Sequence, residues 1–313
     1  YGKNGENYYD NPFGNETMLL ELSNGVVELY ATLDIGLRII RFGFVGGQNI
    51  LNDNRSDFEC QTDERYESLW GKGKHWENFG GHRIWATPEV FPETYNPDDE
   101  PVLYELTENG VILTQKPEPT GLQKQLEIIM DPDDATVGVI NRIKNTTESV
   151  KEFSVWGITV AEKGGVLTAP MNVTDTGLLA NRVISVWPYT DLSDKRIKFF
   201  DKNFVLKQSK DSPRPIKIGF DLECGSVFYA LGEDVFCKSF EVHHREGLPY
   251  PDGGCSFETY TNENFLEIES LSPVKKAGPG ETVSQRERWT LTKAPANPDF
   301  DTEADVNEFL SKI

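Results

Sequence analysis

Two glutamates one residue apart give the first chemical signal. In Phe265-Leu266-Glu267-Ile268-Glu269-Ser270 the acidic and apolar residues alternate. That is the period of a strand, so Glu267 and Glu269 share one face while Leu266 and Ile268 share the other. Carboxylates held this close repel each other, and the repulsion raises one pKa, which suits acid–base work. The plainer alternative is a solvated outer face, which the pattern alone favours. The second signal is the stretch Trp70–Trp85, with two of the four histidines (His75, His82), three of the six tryptophans (Trp70, Trp76, Trp85), Gly80, Gly81 and Arg83. Glycine lets backbone approach a ligand closely. Aromatic faces stack on sugar C–H faces, and His and Arg hydrogen-bond hydroxyls. The stretch fits a carbohydrate pocket and, equally, a glycine-rich loop packed by its tryptophans.

A third cluster comprises Lys238, Glu241, His243, His244, Arg245 and Glu246, followed by the turn Pro251–Gly254. Adjacent histidines on a strand face opposite sides, so at most one of them enters a given pocket. The pair suggests a metal, but no further ligands can be placed, and no metal is expected. The acidic turns Asp98-Asp99 and Asp131–Asp134 lack the EF-hand spacing and read as ordinary turns. No GxSxG elbow and no GxxxxGK[ST] loop occurs.

The elements that must position these residues are strands. Alternating or β-rich runs occupy Val26–Leu33, Leu37–Phe44, Leu122–Met130, Val137–Lys144, Phe153–Val160 and Val183–Val186. The series continues at Phe204–Lys207, Ile216–Phe220, Ser226–Leu231, Phe236–His243, Cys255–Thr261, Phe265–Ser270 and Thr282–Thr292. Many strands at short, regular spacing predict an all-β sandwich or barrel. One helix is predicted at the C-terminus, capped by Asp301 or Thr302, with Val306, Phe309 and Leu310 on one face. Residues 1–17 read as an irregular arm and residues 18–313 as a single β domain.

The 313 residues carry 31 Lys plus Arg against 51 Asp plus Glu, a net charge of −20. That balance argues against a nucleic-acid partner and against an anionic membrane surface. No run of about 18 apolar residues is present, so no transmembrane helix is expected. Cys60, Cys224, Cys237 and Cys255 form no CxxC pair, which disfavours zinc. A chain that begins at Tyr1, together with its acidity, favours an exported protein, periplasmic or secreted, over a cytoplasmic one.

Taken in order, several segments resemble a known family. Asp34-Ile35-Gly36-Leu37-Arg38-Ile39-Ile40-Arg41-Phe42, followed by Gly46-Gly47-Gln48-Asn49-Ile50-Leu51, resembles the opening of galactose mutarotase-like (aldose 1-epimerase) proteins. Gly80-Gly81-His82-Arg83-Ile84-Trp85 with Pro88-Glu89 resembles the glycine–arginine segment, in the form found in the DUF4380 branch of that superfamily. Leu266-Glu267-Ile268-Glu269, then Pro279-Gly280-Glu281, resembles the catalytic-glutamate strand and its following turn. The likeness spans roughly residues 20–292.

The resemblance implies a mainly antiparallel β-supersandwich with few short helices, a sugar-sized concave groove and no cofactor. It implies that Glu267 is the base, with Glu269 as alternative, and that Arg83 binds substrate. The family's acid is a histidine in a segment that here reads Phe153-Ser154-Val155-Trp156-Gly157-Ile158-Thr159, where none occurs. Indole N–H does not titrate in this range. The acid must come from elsewhere, from His82, His244 or Lys238, or epimerisation is absent.

The expected activity is therefore a carbohydrate-active protein, a mutarotase-like epimerase with Glu267 as base and His82 as acid. Arg83, His75, Trp76, Trp85, Trp156, Lys238, His244 and Glu269 are the expected sugar contacts. The partner is a mono- or oligosaccharide, uronic acids included, since Arg83, Lys238 and Arg245 could pair a carboxylate. The alternative is a non-catalytic carbohydrate-binding protein on the same fold; a third class is a structural protein without ligand. Arg83, Glu267 and at least one of His75, His82, His243 and His244 should line one cleft, with Glu267 or Glu269 partly buried against a polar partner. Exposure of Trp76, Trp85 and Trp156 around that cleft would speak for a ligand; their full burial would speak for a structural role.

Overall fold

The computed structural model describes residues 5–8, 18–53, 60–294, 298 and 300–313. Two ten-stranded sheets face each other across an apolar core. In the front sheet the central strands run, side by side, Ile39–Phe44, Gly81–Ala86, Val155–Glu162, Phe265–Leu271, Phe257–Thr261 and Ile216–Phe220. The back sheet centres on Asp234–Phe240, Thr282–Lys293, Thr136–Asn145 and Leu122–Met130. These neighbours pair antiparallel throughout.

Sequence alternation explains the layering. In Leu122–Met130 the side chains of Lys124, Leu126, Ile128 and Met130 turn inward. The hairpin to Thr136–Asn145 closes where Asp131 Oδ1 accepts the backbone N–H groups of Asp133 (3.0 Å) and Asp134 (2.9 Å), an Asx turn. From the front sheet Phe42, Val155, Leu266 and Ile268 meet Val139, Phe236 and Trp289 of the back sheet. Phe42 lies 5.7 Å from Trp289, centroid to centroid.

The strands at the centre of the front sheet are covered on both faces, and polar residues sit on the inner one. Lys238 Nζ donates to Gly157 O, Thr159 Oγ1 and Ile268 O, each at 2.9 Å, and lies 3.2 Å from Glu287 Oε1. Glu287 also accepts from Ser270, Asn141 and Trp289. A Cβ at Gly157 would stand 2.3 Å from Glu287 Oε1, so only glycine leaves room for this carboxylate.

Some elements depart from the sequence reading. Gly5–Tyr8, expected to be irregular, is an edge strand paired with Met18–Ser23; the rest of the expected arm, residues 1–4 and 9–17, lies outside the described residues. Glu64–Trp70 is a helix, capped by Asp63 accepting the Tyr66 N–H at 2.8 Å. The strand expected to reach His243 stops at Phe240, and His244–Glu246 is a 3-10 turn, so the opposite-face argument for the two histidines lapses. The C-terminal helix is Glu303–Leu310, with Thr302 and Asp305 in a capping box and Val306 and Phe309 buried. All four cysteines are free. No helix among the described residues is long and apolar enough to cross a membrane.

Removing one half of the inner ion pair strands the other. Lys238→Ala should therefore lower unfolding free energy by about 3–5 kcal/mol. The double change Lys238→Met with Glu287→Gln should recover most of it. Urea titrations with unchanged m-values check both, and an Ala variant within about 1 kcal/mol of wild type would refute the account.

Candidate active-site cleft

The strand period that turns one set of hydrophobic residues inward turns a second, mixed aromatic and charged set outward. On Gly81–Ala86 these are Arg83 and Trp85; on Val155–Glu162, Trp156 and Ile158; on Phe265–Leu271, Glu267 and Glu269. Register aligns them: Trp156 opposes Trp85, Ile158 lies between Arg83 and Glu269, Glu258 opposes Glu269, Tyr260 opposes Glu267, and Lys217 opposes Tyr260. Gly81, with φ +63°, starts its strand where a Cβ would come within 2.2 Å of Ile39 O. The close approach brings Arg83 onto the sheet beside Glu267.

Above this face lies a cleft of about 230 Å³. Trp76, Trp85, Trp156 and Phe265 make its apolar surface; Tyr95, Tyr189, Tyr260 and Pro215 also line it, with Gln61, Asn78, Arg83, Glu89, Lys217 and Glu267 as its polar groups. A hollow of about 250 Å³ elsewhere is lined by Trp70, Lys74, Asp98, Asp99, Glu100, Lys116 and Glu118 among prolines. Its lysines are taken up by Asp99 and Glu100, and Glu118 by Lys124, so it offers less free chemistry than the cleft.

Arg83 Nη2 donates to Glu267 Oε1 at 3.0 Å, and its guanidinium lies 4.4 Å over the Trp85 ring. Lys217 Nζ stands 3.1 Å from Glu269 Oε2 and 3.0 Å from Glu258 Oε2. The same ammonium lies 4.5 Å over Trp156 and 4.9 Å over Trp187, a cation–π arrangement on two sides. Trp156 Nε1 donates to Glu269 Oε2 at 2.8 Å. Glu258 Oε1 and Glu269 Oε1 are buried without a hydrogen-bond partner among the described residues.

Three carboxylates thus share two cations in a water-poor layer. Burial pushes Glu269 up to about 7, against the pull of Lys217 and with a push from Glu267. Burial raises Glu258 well above its ordinary value as well. The two are cross-strand neighbours, so ionising either one opposes ionising the other. The hydrogen bond from Trp156 opposes the rise at Glu269 without overcoming burial. Burial pulls Lys217 down, but Glu269 and Glu258 outweigh it and hold it well above the usual lysine range, so it stays charged.

The expected site residues divide sharply. Arg83, Glu267, Trp76, Trp85 and Trp156 come together in the cleft. Glu269 lies beneath it, fully buried, so the solvated outer face considered for the glutamate pair is not what forms. His82 does not reach the cleft. Because Arg83 points out, its neighbour points in; His82 is fully buried between the sheets, 2.9 Å from both Thr159 Oγ1 and Asn141 Oδ1 and edge-on to Trp289. Burial pulls it down to about 4, so it is neutral and out of reach of a ligand, and cannot be the acid.

Lys238 belongs to the inner network and is likewise removed from the sugar contacts. His75 pairs with Glu77 on the surface at 2.7 Å, and His244 stacks on Tyr250 and bonds Ser256 at 3.0 Å; neither lines the cleft. His243 pairs with Glu246. None of the four histidines therefore joins Arg83 and Glu267, contrary to expectation. The tryptophans are more enclosed than a sugar platform requires, at 2–4% exposed. Their burial speaks for a structural role of the indoles, which underlie the cleft, and the more open aromatic surface comes from the tyrosines, of which Tyr189 is 41% exposed.

Sequence reasoning missed Lys217, Glu258, Tyr260, Tyr95 and Tyr189. Glu258-Thr259-Tyr260 had a readable signal, the same alternation as Glu267-Ile268-Glu269. Lys217 had none, because its value depends on which strand lies beside it.

Comparison with solved structures places this arrangement in a known architecture. A galactose mutarotase-like protein from Lactobacillus casei superposes with a TM-score of 0.54 at 9% identity, over 88% of this chain and 100% of that one. A galactose mutarotase-like protein from Clostridium acetobutylicum gives 0.54 at 8% identity, over 93% and 99%. The fold is that of the galactose mutarotase-like proteins. A TPR-domain-containing protein from Parabacteroides distasonis also superposes, with a TM-score of 0.60 at 13% identity over 90% of this chain and 48% of that one. No protein-family model matches the chain, and no curated protein matches it in sequence.

The buried groups set opposing slopes of stability against pH. Glu269, raised from 4.5 to about 7, stabilises the folded state fully below about pH 4.5, and that contribution is lost as pH rises to about 7. His82, lowered from 6.5 to about 4, stabilises above about pH 6.5, and that contribution is lost as pH falls towards 4. Glu269→Gln should remove the first slope alone. Relative to wild type, its urea midpoint should rise on going from about pH 5 to about pH 8. Parallel pH profiles for the two proteins would rule out the raised Glu269 carboxyl.

Proposed function

We propose that this is a carbohydrate-active protein that holds one sugar ring in the cleft over the Arg83–Glu267 pair. One observation carries the reading: a guanidinium and a carboxylate, 3.0 Å apart, at the floor of a cleft lined by tyrosines and tryptophans. Such a floor presents both a donor and an acceptor to vicinal hydroxyls, and aromatic walls take the ring's C–H faces. The fold supports it, as does the likeness of the Leu266–Glu269 strand to the catalytic-glutamate strand of mutarotases. The Gly80–Trp85 segment with Pro88 further supports a place in the DUF4380 branch.

The reading is one of recognition without ring opening. Glu267 is placed to accept a hydroxyl proton, but no imidazole stands across from it to protonate a ring oxygen. The epimerase remains the second reading, because a second carboxylate, Glu89, also lines the cleft. Glu89 and Glu267 together would provide acid and base without histidine.

Tryptophan fluorescence is suited to the test, since three indoles form the floor. Titration with neutral pyranoses should shift emission, and Arg83→Ala should weaken binding by about 10- to 100-fold, the worth of charge-assisted hydrogen bonds. NMR of anomer exchange then separates the readings. Unaccelerated exchange supports recognition; acceleration abolished by Glu267→Gln and by Glu89→Gln establishes the epimerase instead. No emission change with any sugar would refute both.

A further inference from the structure

Among the described residues, each cation at the cleft is paired with a carboxylate. Arg83 is bound to Glu267 at 3.0 Å, and Lys217 is wedged between Glu258 and Glu269. At the rim, Arg214 beside Pro215 is paired with Asp191 at 2.9 Å. Arg38, whose charge reaches the Arg83–Glu267 pair, is bound to Asp98 at 2.8 Å. The carboxylates are in excess. Glu89 and Glu267 line the cleft, Glu258 and Glu269 lie under it, and only Arg83 and Lys217 oppose them. Glu89 and Glu267 are the carboxylates that a ligand meets at the surface of the cleft. The chain's own charge of −20 adds to that field.

Glu89 is the group in this set that solvent reaches most easily. It is exposed at the mouth of the cleft, where the Tyr95 hydroxyl donates to its Oε1. Its other oxygen accepts no hydrogen bond among the described residues. Its charge is felt by Lys217, Tyr95 and Tyr189. Both phenols are pushed up, mainly by burial, and remain neutral donors. Among the described residues, an anionic sugar entering here meets only cations already paired with carboxylates, and it faces two further carboxylates at the cleft surface. An ammonium group meets a waiting carboxylate and breaks nothing.

We propose that the cleft selects a sugar bearing an ammonium group, received by Glu89 at the mouth, and rejects uronates and sugar phosphates. The proposal rests on the sugar-binding reading above and names the ligand class for the same cleft. It also replaces the sequence-based expectation that uronic acids are ligands. Of the cations on which that expectation relied, Lys238 is sealed inside the sandwich and Arg83 is already paired.

The test is a binding comparison of five probes: glucose, glucosamine, N-acetylglucosamine, glucuronate and glucose 6-phosphate. At about pH 6 and low ionic strength, glucosamine should bind about fivefold more tightly than glucose, the effect of one ion pair at a wet rim. Three changes should erase that advantage: N-acetylation, a shift to about pH 9.5 where the amine is uncharged, and Glu89→Gln. Added salt should shrink it. Glucuronate and glucose 6-phosphate should bind more weakly than glucose. Glucose binding with glucosamine no tighter, glucuronate or glucose 6-phosphate binding at least as tightly as glucose, or an amine preference that survives Glu89→Gln would each overturn the charge rule while leaving sugar binding intact. Failure of all five probes to bind would overturn both readings together.

Discussion

Taking a charged side chain out of water costs several kcal/mol unless an opposite charge and well-aimed hydrogen bonds meet it. The central strands of the front sheet are covered on both faces, by the back sheet within and by the aromatic floor of the cleft without. Charges on either face must therefore be matched locally, and the molecule matches them in two separate layers. On the inner face Lys238 answers Glu287, with His82, Asn141, Ser270 and Trp289 completing the hydrogen bonds. On the outer face Arg83 answers Glu267, and Lys217 answers Glu258 and Glu269. The layers differ in one respect that matters for function. The inner network ties its carboxylate to a lysine and three further donors. The outer one leaves two buried carboxylate oxygens unpartnered and two further carboxylates at the cleft surface.

That imbalance shapes the chemistry available to a ligand. A cleft whose cations are all spoken for discriminates by what it lacks, since specificity is a difference between the ligand accepted and the ligand refused. The aromatic residues reinforce the effect. Lys217 is fixed between two indoles and two carboxylates, so it is a poor candidate to swing towards a phosphate. Arg83 is held over Trp85 by its face and by Glu267 at its edge. Both cations serve the floor first, and a ligand meets them as fixed, partly neutralised donors.

The sequence revealed the strands well because a two-residue period is a local property. The runs at Leu122–Met130, Ile216–Phe220, Ser226–Leu231 and Phe265–Ser270 were each readable from their own residues. The shared face of Glu267 and Glu269 followed from the same period. The outward turn of Arg83 was readable too, but only once Gly81–Ala86 was taken as a strand. Taken as a loop, it left His82 free to be the acid; as a strand, it sends His82 to the opposite face. Lys217 and Glu258 were not legible as site residues, because their roles arise from the order of strands across the sheet. That order is set by non-local pairing and leaves no mark in either strand alone. The tryptophan-rich stretch showed an aromatic cluster, yet composition could not tell a floor from a wall.

The position at which the mutarotase resemblance leads one to look for a histidine shows what has taken its place. The Phe153–Thr159 segment contributes Trp156, whose indole N–H is spent on Glu269 and whose face lies against Lys217. An imidazole there could exchange a proton with a sugar. An indole cannot; it can only hold its partner still. Trp156 acts here as a structural clamp on the carboxylate and ammonium that support the cleft floor. Glu258 and Glu269 are fully buried beneath the indole and the lysine. With no imidazole beside Arg83 and Glu267, the proposed reading of the cleft as a site of recognition rests on the paired donor and acceptor at its floor.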